Sequence, residues 1–402
     1  MVKRAFSLAI SIFTVLFLVG CGSFSDSKSP ESSGGSGTLP PPPSSERTGV
    51  PAVRGVWLTN VDSKVLNSRA NIREAVALCK RLGINTIFSV VWNKGFTLYP
   101  SQVMKNTFGI EIDTALTGRD PLKELIEEAH AQNIKVFAWF EFGFASSFKL
   151  GGGHLLAAKP EWASKDRNGK LTTKNGFEWM NGFHPDVQSF MLSLIAEVVA
   201  NYEVDGIQGD DRLPAMPSEA GYDTYTTNLY KQQNKGALPP EDFKNEKWVQ
   251  WRSDILTGFC GKIYKTVKDL NPNCIVSMSP SIYPWSKEEY LQDWPEWVRR
   301  GYVELLCPQV YRYKIEEYST TLSDTYLTWL PKGYEKIFFP GVLIKVGGYQ
   351  PVDELFVQMI EENRKLGIQG EVFFFYEGIK KFSDILKNEI YTDRVDFPKL
   401  LK

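Results

Sequence analysis

Residues 205–212 read Asp-Gly-Ile-Gln-Gly-Asp-Asp-Arg, a small apolar run that ends in two adjacent carboxylates and an arginine. Acidic residues at strand ends usually form turns or cap helices, so the surroundings decide whether Asp210 and Asp211 are chemistry or punctuation. Side chains alternate across a strand. With Ile207 turned toward a covering helix, Gly206, Gln208 and Asp210 face the inner side of the sheet, and Asp211 falls at its lip. Unpaired polar groups in an apolar interior cost on the order of 1–3 kcal/mol. Gln208 and Asp210 therefore belong inside only if the top layer is a site.

Outward from this stretch the same unit repeats. Apolar, β-branched or aromatic runs at Arg54–Thr59, Asn85–Trp92, Lys135–Phe142, Asp205–Asp210, Cys274–Ser281, Glu304–Tyr311, Ile337–Ile344 and Gly370–Glu377 predict eight strands. Between them the spacing predicts helices over Arg69–Leu82, Asp120–Gln132, Pro185–Tyr202, Lys247–Leu270, Lys287–Gly301, Ile315–Leu330 and Pro351–Leu366. Asp120 and Pro121 supply an N-cap and a first-turn proline. Continuous apolar strands alternating with helices mean a covered parallel sheet, and eight units without a dinucleotide fingerprint predict an α/β fold, a closed (β/α)8 barrel of the TIM type. A doubly wound open sheet is the competing architecture. In a barrel the site lies at the C-terminal strand ends. Three connections there are long: Trp92 to Asp120, Gly143 to His184 and Arg212 to Trp248. They carry Tyr99, Trp162, Trp179, Tyr222 and Tyr225, which are expected to wall a cleft for an extended substrate.

Glu141 closes the third run among Trp139, Phe140 and Phe142. Burial raises a carboxyl pKa, which suits a general acid, whereas an ion pair with Arg54 or Arg212 would make Glu141 structural. Glu377, after Phe373-Phe374-Phe375-Tyr376, is a second candidate acid or a sugar ligand. Two carboxyls flanking a bond are the minimum for glycoside hydrolysis, about 5–5.5 Å apart for retention and roughly 6.5–9.5 Å for inversion. Glu141 and Asp210 end consecutive strands and so are expected to be neighbours. Trp57, Asn60, Trp92, Asn93, Ser279, Ser281, Gln309, Tyr311 and Arg312 add flat apolar faces and hydrogen-bonding groups to the same end, which suits a carbohydrate. No phosphate loop is present, since Gly151-Gly152-Gly153 lacks the strand, helix and lysine context.

The ends of the chain point to export. Lys3 and Arg4 precede an apolar stretch over 5–19 that is too short to span a bilayer, so residues 1–20 are expected to be a signal peptide. Leu18-Val19-Gly20-Cys21 resembles the bacterial lipobox, which implies a lipid on Cys21; an ordinary cleaved signal is the alternative. Residues 21–50 are rich in Ser, Gly and Pro and read as a tether, leaving 51–402 as the catalytic domain. The expected location is the cell envelope, membrane-anchored and facing the periplasm or exterior. A formal charge of −1 excludes a nucleic-acid footprint. The apolar share of 43% is enough to bury a large core, and most of the 11 Trp are expected to serve that core, although such rings also suit stacking in a sugar cleft. Cys79, Cys260, Cys274 and Cys307 read as buried thiols, and 3 scattered His give no histidine-rich metal site, so neither cofactor nor metal is expected.

Six motifs taken in order carry a family resemblance. They are Arg54-Gly-Val-Trp-Leu-Thr-Asn60, Ala138-Trp-Phe-Glu-Phe-Gly-Phe144, Phe183-His184-Pro-Asp-Val-Gln188, Asp205-Gly-Ile-Gln-Gly-Asp-Asp211, Pro308-Gln-Val-Tyr-Arg312 and Phe373-Phe-Phe-Tyr-Glu377. This set resembles the glycosyl-hydrolase-like 10 family of bacterial envelope lipoproteins over about 53–378. The resemblance implies a barrel glycoside hydrolase acting on envelope glycans, with peptidoglycan glycan strands as substrate. Gly209 and Met180-Asn181-Gly182 depart from its usual pattern. The fourth-strand motif is also similar to that of the alpha-amylase family, which implies a nucleophile at Asp210. Gln208 stands where that family keeps a basic residue, and strand five has no carboxylate where it keeps its acid.

The expected activity is therefore hydrolysis of an envelope polysaccharide, with Asp210 as nucleophile or base, Glu141 as acid and Asp211 as electrostatic partner. Trp57, Asn60, Trp92, Trp139, His184, Gln208, Arg212, Ser279, Gln309, Tyr311, Tyr376 and Glu377 are the expected substrate contacts. A glycan-binding lipoprotein without turnover is the competing reading. A metal-dependent deacetylase-like enzyme is disfavoured because no histidine lies near Asp210.

Overall fold

The computed structural model describes residues 49–400. The signal segment, Cys21 and the tether as far as residue 48 lie outside the described residues. All eight predicted strands form: β1 (Arg54–Leu58), β2 (Thr86–Val90), β3 (Lys135–Trp139), β4 (Gly206–Gly209), β5 (Ile275–Met278), β6 (Leu305–Leu306), β7 (Gly341–Leu343) and β8 (Glu371–Phe374). They pair in parallel in the order β6-β5-β4-β3-β2-β1-β8-β7. The remaining seam, between β6 and β7, is closed by two parallel bridges, Leu306 with Phe338 and Gln309 with Gly341. Across it the Gly341 amide donates to the Pro308 carbonyl at 2.8 Å. The sheet is thus a (β/α)8 barrel whose thinnest join is β6–β7.

Each strand is shorter than its apolar run, for a reason that matters at the site. The run Lys135–Phe142 leaves the ladder after Trp139, and Glu304–Tyr311 keeps only Leu305–Leu306 because Pro308 has no amide hydrogen to pair. The residues cut from the ladder build the mouth of the barrel instead.

The helices predicted around the barrel form as α1 (Arg69–Arg81), α2 (Pro121–His130), α3 (Pro185–Asn201), α4 (Glu246–Leu270), α5 (Trp294–Arg299), α6 (Ile315–Ser323) and α7 (Asp353–Lys365). Asp120 caps α2 by accepting from the Lys123 amide, and Leu122, Leu125, Ile126 and Ala129 bury its inner face. Two helices differ from expectation. The span Lys287–Gly301 is broken into Trp285–Tyr290 and α5, because Leu291 turns left-handed (φ 59°) and Pro295 restarts the chain. The span Ile315–Leu330 ends as an α-helix at Ser323 and continues as a wider π turn over Asp324–Trp329.

The three long connections are folded. The first holds a short hairpin (Trp92–Asn93 with Phe96–Thr97) and a helix, Gln102–Phe108; the second holds a three-stranded antiparallel sheet; the third holds helix Thr224–Gln233. This corrects the expectation of a cleft wall for three of the five aromatics they carry, while Tyr222 and Tyr225 are half-buried. Tyr99, Trp162 and Trp179 are buried at 0%, 5% and 1% exposure. The Tyr99 hydroxyl donates to the Leu194 carbonyl, and Trp162 packs against Phe108 and Phe190. A long insertion must bury a core of its own, and these rings supply it. The four cysteines after residue 48 are buried free thiols, and burial pushes Cys79 up to about 12.

Candidate active site

The barrel interior rises in layers toward the C-terminal strand ends. Trp139 of β3 and Ser277 of β5 lie in register with Gln208 of β4. Gln208 is fully buried and uses both ends of its amide: Oε1 accepts from Trp57 Nε1 at 2.7 Å and Nε2 donates to Ser277 Oγ at 2.9 Å. This bonded layer places the next inward residue, Asp210, in the mouth. Trp57 packs on Phe88, Trp139, Tyr311 and Phe374, so the floor of the mouth is aromatic.

Asp210 is 2% exposed. It accepts from Trp139 Nε1 at 3.1 Å, from the Arg212 amide at 2.9 Å and from the Arg212 guanidinium at 3.3 Å. Arg212 also pairs with Asp211 at 3.0 Å, donates from Nε to the Glu141 carbonyl at 2.8 Å, and lies 4.8 Å from the Phe177 ring centroid. It ties the ends of β3 and β4 together. The close approach explains two glycines. A Cβ at Gly209 would overlap the Leu213 carbonyl, and one at Gly143 (φ 49°) would overlap the Arg212 carbonyl. The bulky residue usual before the acid pair has no room here.

Glu141 is half-buried, and its Oε2 accepts from Thr59 Oγ1 at 3.0 Å and from Asn93 Nδ2 at 2.8 Å. The same Asn93 amide donates to Asn60 Oδ1 at 2.9 Å. Burial raises the Glu141 carboxyl against the opposing charge of Arg212 and the Thr59 bond, and Asp211 adds to the rise. Burial lifts Asp210 further, well above the ordinary range, again against Arg212 and with Asp211 and Glu141 adding repulsion. Burial alone would lower Arg212, but Asp211, Asp210 and Glu141 outweigh it and hold the guanidinium charged. Two protonatable carboxyls and a fixed cation thus share one water-poor pocket, the arrangement acid-base chemistry requires.

Of the residues singled out from sequence, Trp57, Asn60, Trp139, Gln208, Asp210, Asp211, Arg212 and Glu141 fall into this cluster. Tyr311 joins it: its half-buried hydroxyl is raised by burial and by the charges of Asp211 and Asp210. Ser279 lines the end of β5 with a buried hydroxyl lacking a protein partner, and Gln309 donates to the Ser279 carbonyl at 3.2 Å. Four others lie elsewhere. Trp92 is fully buried, with its Nε1 on the Gly143 carbonyl and its ring edge-on to Phe190. His184 caps α3, accepting from the Asp186 amide and stacking on Tyr225. Tyr376 and Glu377 begin a short helix, Tyr376–Ile379, and Glu377 accepts from Ser63 Oγ at 2.8 Å beside a cavity of about 360 Å³. Both follow the end of β8, and Glu377 is tied to the β1–α1 connection through Ser63. Arg54 pairs with Asp393 and not with Glu141.

Sequence reasoning missed Thr59 as a partner of Glu141, and Gln292, whose Nε2 donates to the Asp210 carbonyl at 2.7 Å. Gln292 sits between two helices predicted as one, so no sequence signal marked it. Among the described residues, no cluster of three or more His, Cys, Asp or Glu could hold a metal ion.

Solved structures of similar fold include the PgaB (BpsB) glycoside hydrolase domain from Bordetella bronchiseptica (TM-score 0.61, 15% identity, 84% of this chain and 100% of that one). The catalytic domain of a β-amylase from Paenibacillus polymyxa also matches (TM-score 0.58, 10% identity, 85% and 100%). By sequence, the chain is 26% identical to glycosyl hydrolase DigH of Escherichia coli over 67% of its length and 68% of that protein. It is 22% identical to glycosyl hydrolase YngK of Bacillus subtilis over 87% and 73%. The family model for glycosyl hydrolase-like 10 matches residues 52–332, which hold every residue of the carboxylate cluster. The chain belongs to the glycosyl hydrolase-like 10 family and is a glycoside hydrolase.

Proposed function

We propose that this glycoside hydrolase cleaves an envelope polysaccharide, the glycan strands of peptidoglycan, by a two-carboxylate mechanism at Glu141 and Asp210. The observation that carries the reading is the pair itself: two carboxyls at the ends of adjacent strands, both raised by burial, with Arg212 bonded to the Asp210 carboxylate and to the Glu141 backbone carbonyl. The charge of Glu141 adds to the rise of Asp210, so loss of one proton disfavours loss of the other and one is retained. Glu141, whose donors are a hydroxyl and an amide, keeps that proton and gives it to the leaving oxygen. Asp210, with the guanidinium and the indole as donors, is the ionised partner that attacks the anomeric carbon or activates water. Asp211 keeps Arg212 charged and in place. The trapped aromatic floor and the unpaired Ser279 hydroxyl receive sugar faces and hydroxyls. A lipid on Cys21 and the tether that follows would hold the enzyme at the envelope.

Deeper burial of Asp210 favours a second reading in which the two roles are exchanged. Purified peptidoglycan glycan strands, with and without stem peptides, test the substrate when products are read by mass spectrometry. Shortened glycans from wild type and none from Asp210→Asn are the expected result; intact strands with both proteins overturn the reading. An aryl glycoside with a good leaving group separates the roles, because it needs no proton. Activity on it should survive Glu141→Gln and vanish with Asp210→Asn, and the opposite pattern assigns the acid to Asp210.

A further inference from the structure

Among the described residues, a half-buried arginine at the barrel mouth has no counter-charge. Arg312, directly after Tyr311 in the connection that follows β6, is half-buried, and its guanidinium donates to the Tyr311 carbonyl at 2.6 Å. Among the described residues no carboxylate comes within ion-pair distance of it. Burial lowers Arg312, and Glu317, whose charge opposes that shift, is too distant to pair. The other enclosed arginines are compensated. Arg54 has Asp393, Arg119 has Glu124, Arg212 has Asp210 and Asp211, and Arg364 has Glu371. Arg252 lacks a carboxylate but spends its nitrogens on the carbonyls of Ser218, Ala220, Phe243 and Trp248. A partly desolvated guanidinium with one neutral partner is costly unless something else arrives to pair with it.

The neighbouring rings point to what arrives. Tyr313 is 55% exposed and meets Tyr349 edge-on, 4.7 Å between centroids. Tyr349 belongs to the loop after β7, so this pair spans the thin β6–β7 join at the C-terminal face. The Tyr349 hydroxyl is sealed from solvent and has no partner. Tyr311, one residue before Arg312, feels the charges of Asp210 and Asp211. An exposed tyrosine next in sequence to an uncompensated guanidinium, itself next to a ring of the catalytic cluster, suits an acidic sugar. The ring stacks on the pyranose and the guanidinium takes the carboxylate in a bidentate pair.

We propose that Arg312, Tyr313 and Tyr349 form a subsite for a carboxylate-bearing sugar of the glycan, beside the bond being cleaved. This rests on the polysaccharide reading above and adds the charge that the enzyme selects. It makes Arg312 a specificity residue and leaves the chemistry to Glu141 and Asp210.

The test uses the full chain in detergent and two forms of peptide-free peptidoglycan strands, one with free carboxylates and one with the carboxyls methylamidated. Affinity is measured in the Asp210→Asn background, which holds the glycan without turning it over, and KM and kcat in the otherwise native chain. A charge-assisted bond is worth about 1.5–3 kcal/mol, so amidation should weaken binding about tenfold or more. Arg312→Met should weaken binding to free-carboxylate strands equally, leave amidated strands unaffected, and change kcat less than twofold. Arg312→Lys should recover part of the loss. Tyr313→Ala, at an exposed position, should weaken both strands alike because stacking ignores the carboxylate. Equal loss on both strands by Arg312→Met, or no effect of amidation on the native chain, overturns the subsite. Binding without cleavage in the native chain overturns hydrolysis alone, and no binding to either strand overturns both readings.

Discussion

At the N-terminal end of β8, Glu371 is fully buried and accepts from Arg364 at 2.8 and 3.0 Å, from Asn363 at 2.9 Å and from the Tyr391 hydroxyl at 2.5 Å. At the C-terminal end of β4, Asp210 is buried almost as deeply but has one indole, one amide and a long guanidinium contact, with two other carboxyls nearby. Burial pushes both carboxyls up. At Glu371 the charge of Arg364 and the bonds from Arg364, Tyr391 and Asn363 outweigh it, and the group ends below the ordinary range. At Asp210 they do not, and it ends well above. The same barrel thus holds one carboxylate satisfied as structure and one left under-satisfied for chemistry, at opposite ends. Burial by itself does not mark a catalytic acid. Incomplete satisfaction does.

The sharpest way to break this comparison is to neutralise each carboxyl without changing its shape. Asp210→Asn or Glu141→Gln should cost about a thousandfold or more in kcat/KM, roughly 4 kcal/mol of transition-state stabilisation. Their effect on stability should have the opposite sign. A carboxyl raised above its unfolded value stabilises the fold only when protonated, and that contribution is lost as pH rises through the folded pKa. At neutral pH the amide variants should therefore unfold in urea at an equal or higher midpoint. A clear loss of stability would make these acids structural.

Glu371→Gln should invert the pattern. Its lowered pKa means a contribution present above the ordinary carboxyl range and lost as pH falls through the folded value. Removing the charge leaves Arg364 half-buried without its counter-charge, at a cost of about 1.5–3 kcal/mol. Urea unfolding at neutral pH should show that drop, and the gap from wild type should close in acid. Activity per folded molecule should be unchanged; a large loss of kcat would mean that the two ends of the barrel are coupled.

Much of this contrast was readable before any coordinates. Parity along Asp205–Asp210 put Gln208 and Asp210 inside, because a strand has only two faces and Ile207 claims one. Eight alternating units gave the barrel. What the alternation could not supply was the direction of the chain once it leaves the ladder. Tyr376 and Glu377 continue an apolar run and read as strand end, yet a helix begins at Tyr376 and Glu377 bonds Ser63. His184 reads as a site residue and serves as a helix cap. Trp92 and the insertion residues Tyr99, Trp162 and Trp179 read as cleft and are core, because composition does not reveal which rings an insertion needs for itself. Partners of the carboxyls, such as Thr59 and Gln292, come from other strands and loops, and a linear pattern carries no signal for them.

The smallest of these effects is also the one that assigns roles. Trp139→Phe removes the indole donor, 3.1 Å from Asp210, and keeps an aromatic ring against Trp57. A donor to a carboxylate favours the ionised form, so its loss should raise Asp210 still further. Near neutral pH the cost should be about tenfold in kcat/KM, within the range for one hydrogen bond to a charged group. A packing defect would lower the whole pH-rate profile without moving it. An electrostatic role moves one limb. If Asp210 acts ionised, the ascending limb shifts to higher pH, and activity returns toward wild type on its alkaline side. If Asp210 is the proton donor, the descending limb shifts upward instead. A profile with neither limb displaced would reduce the indole to core, and leave Arg212 as the group that sets the charge of Asp210.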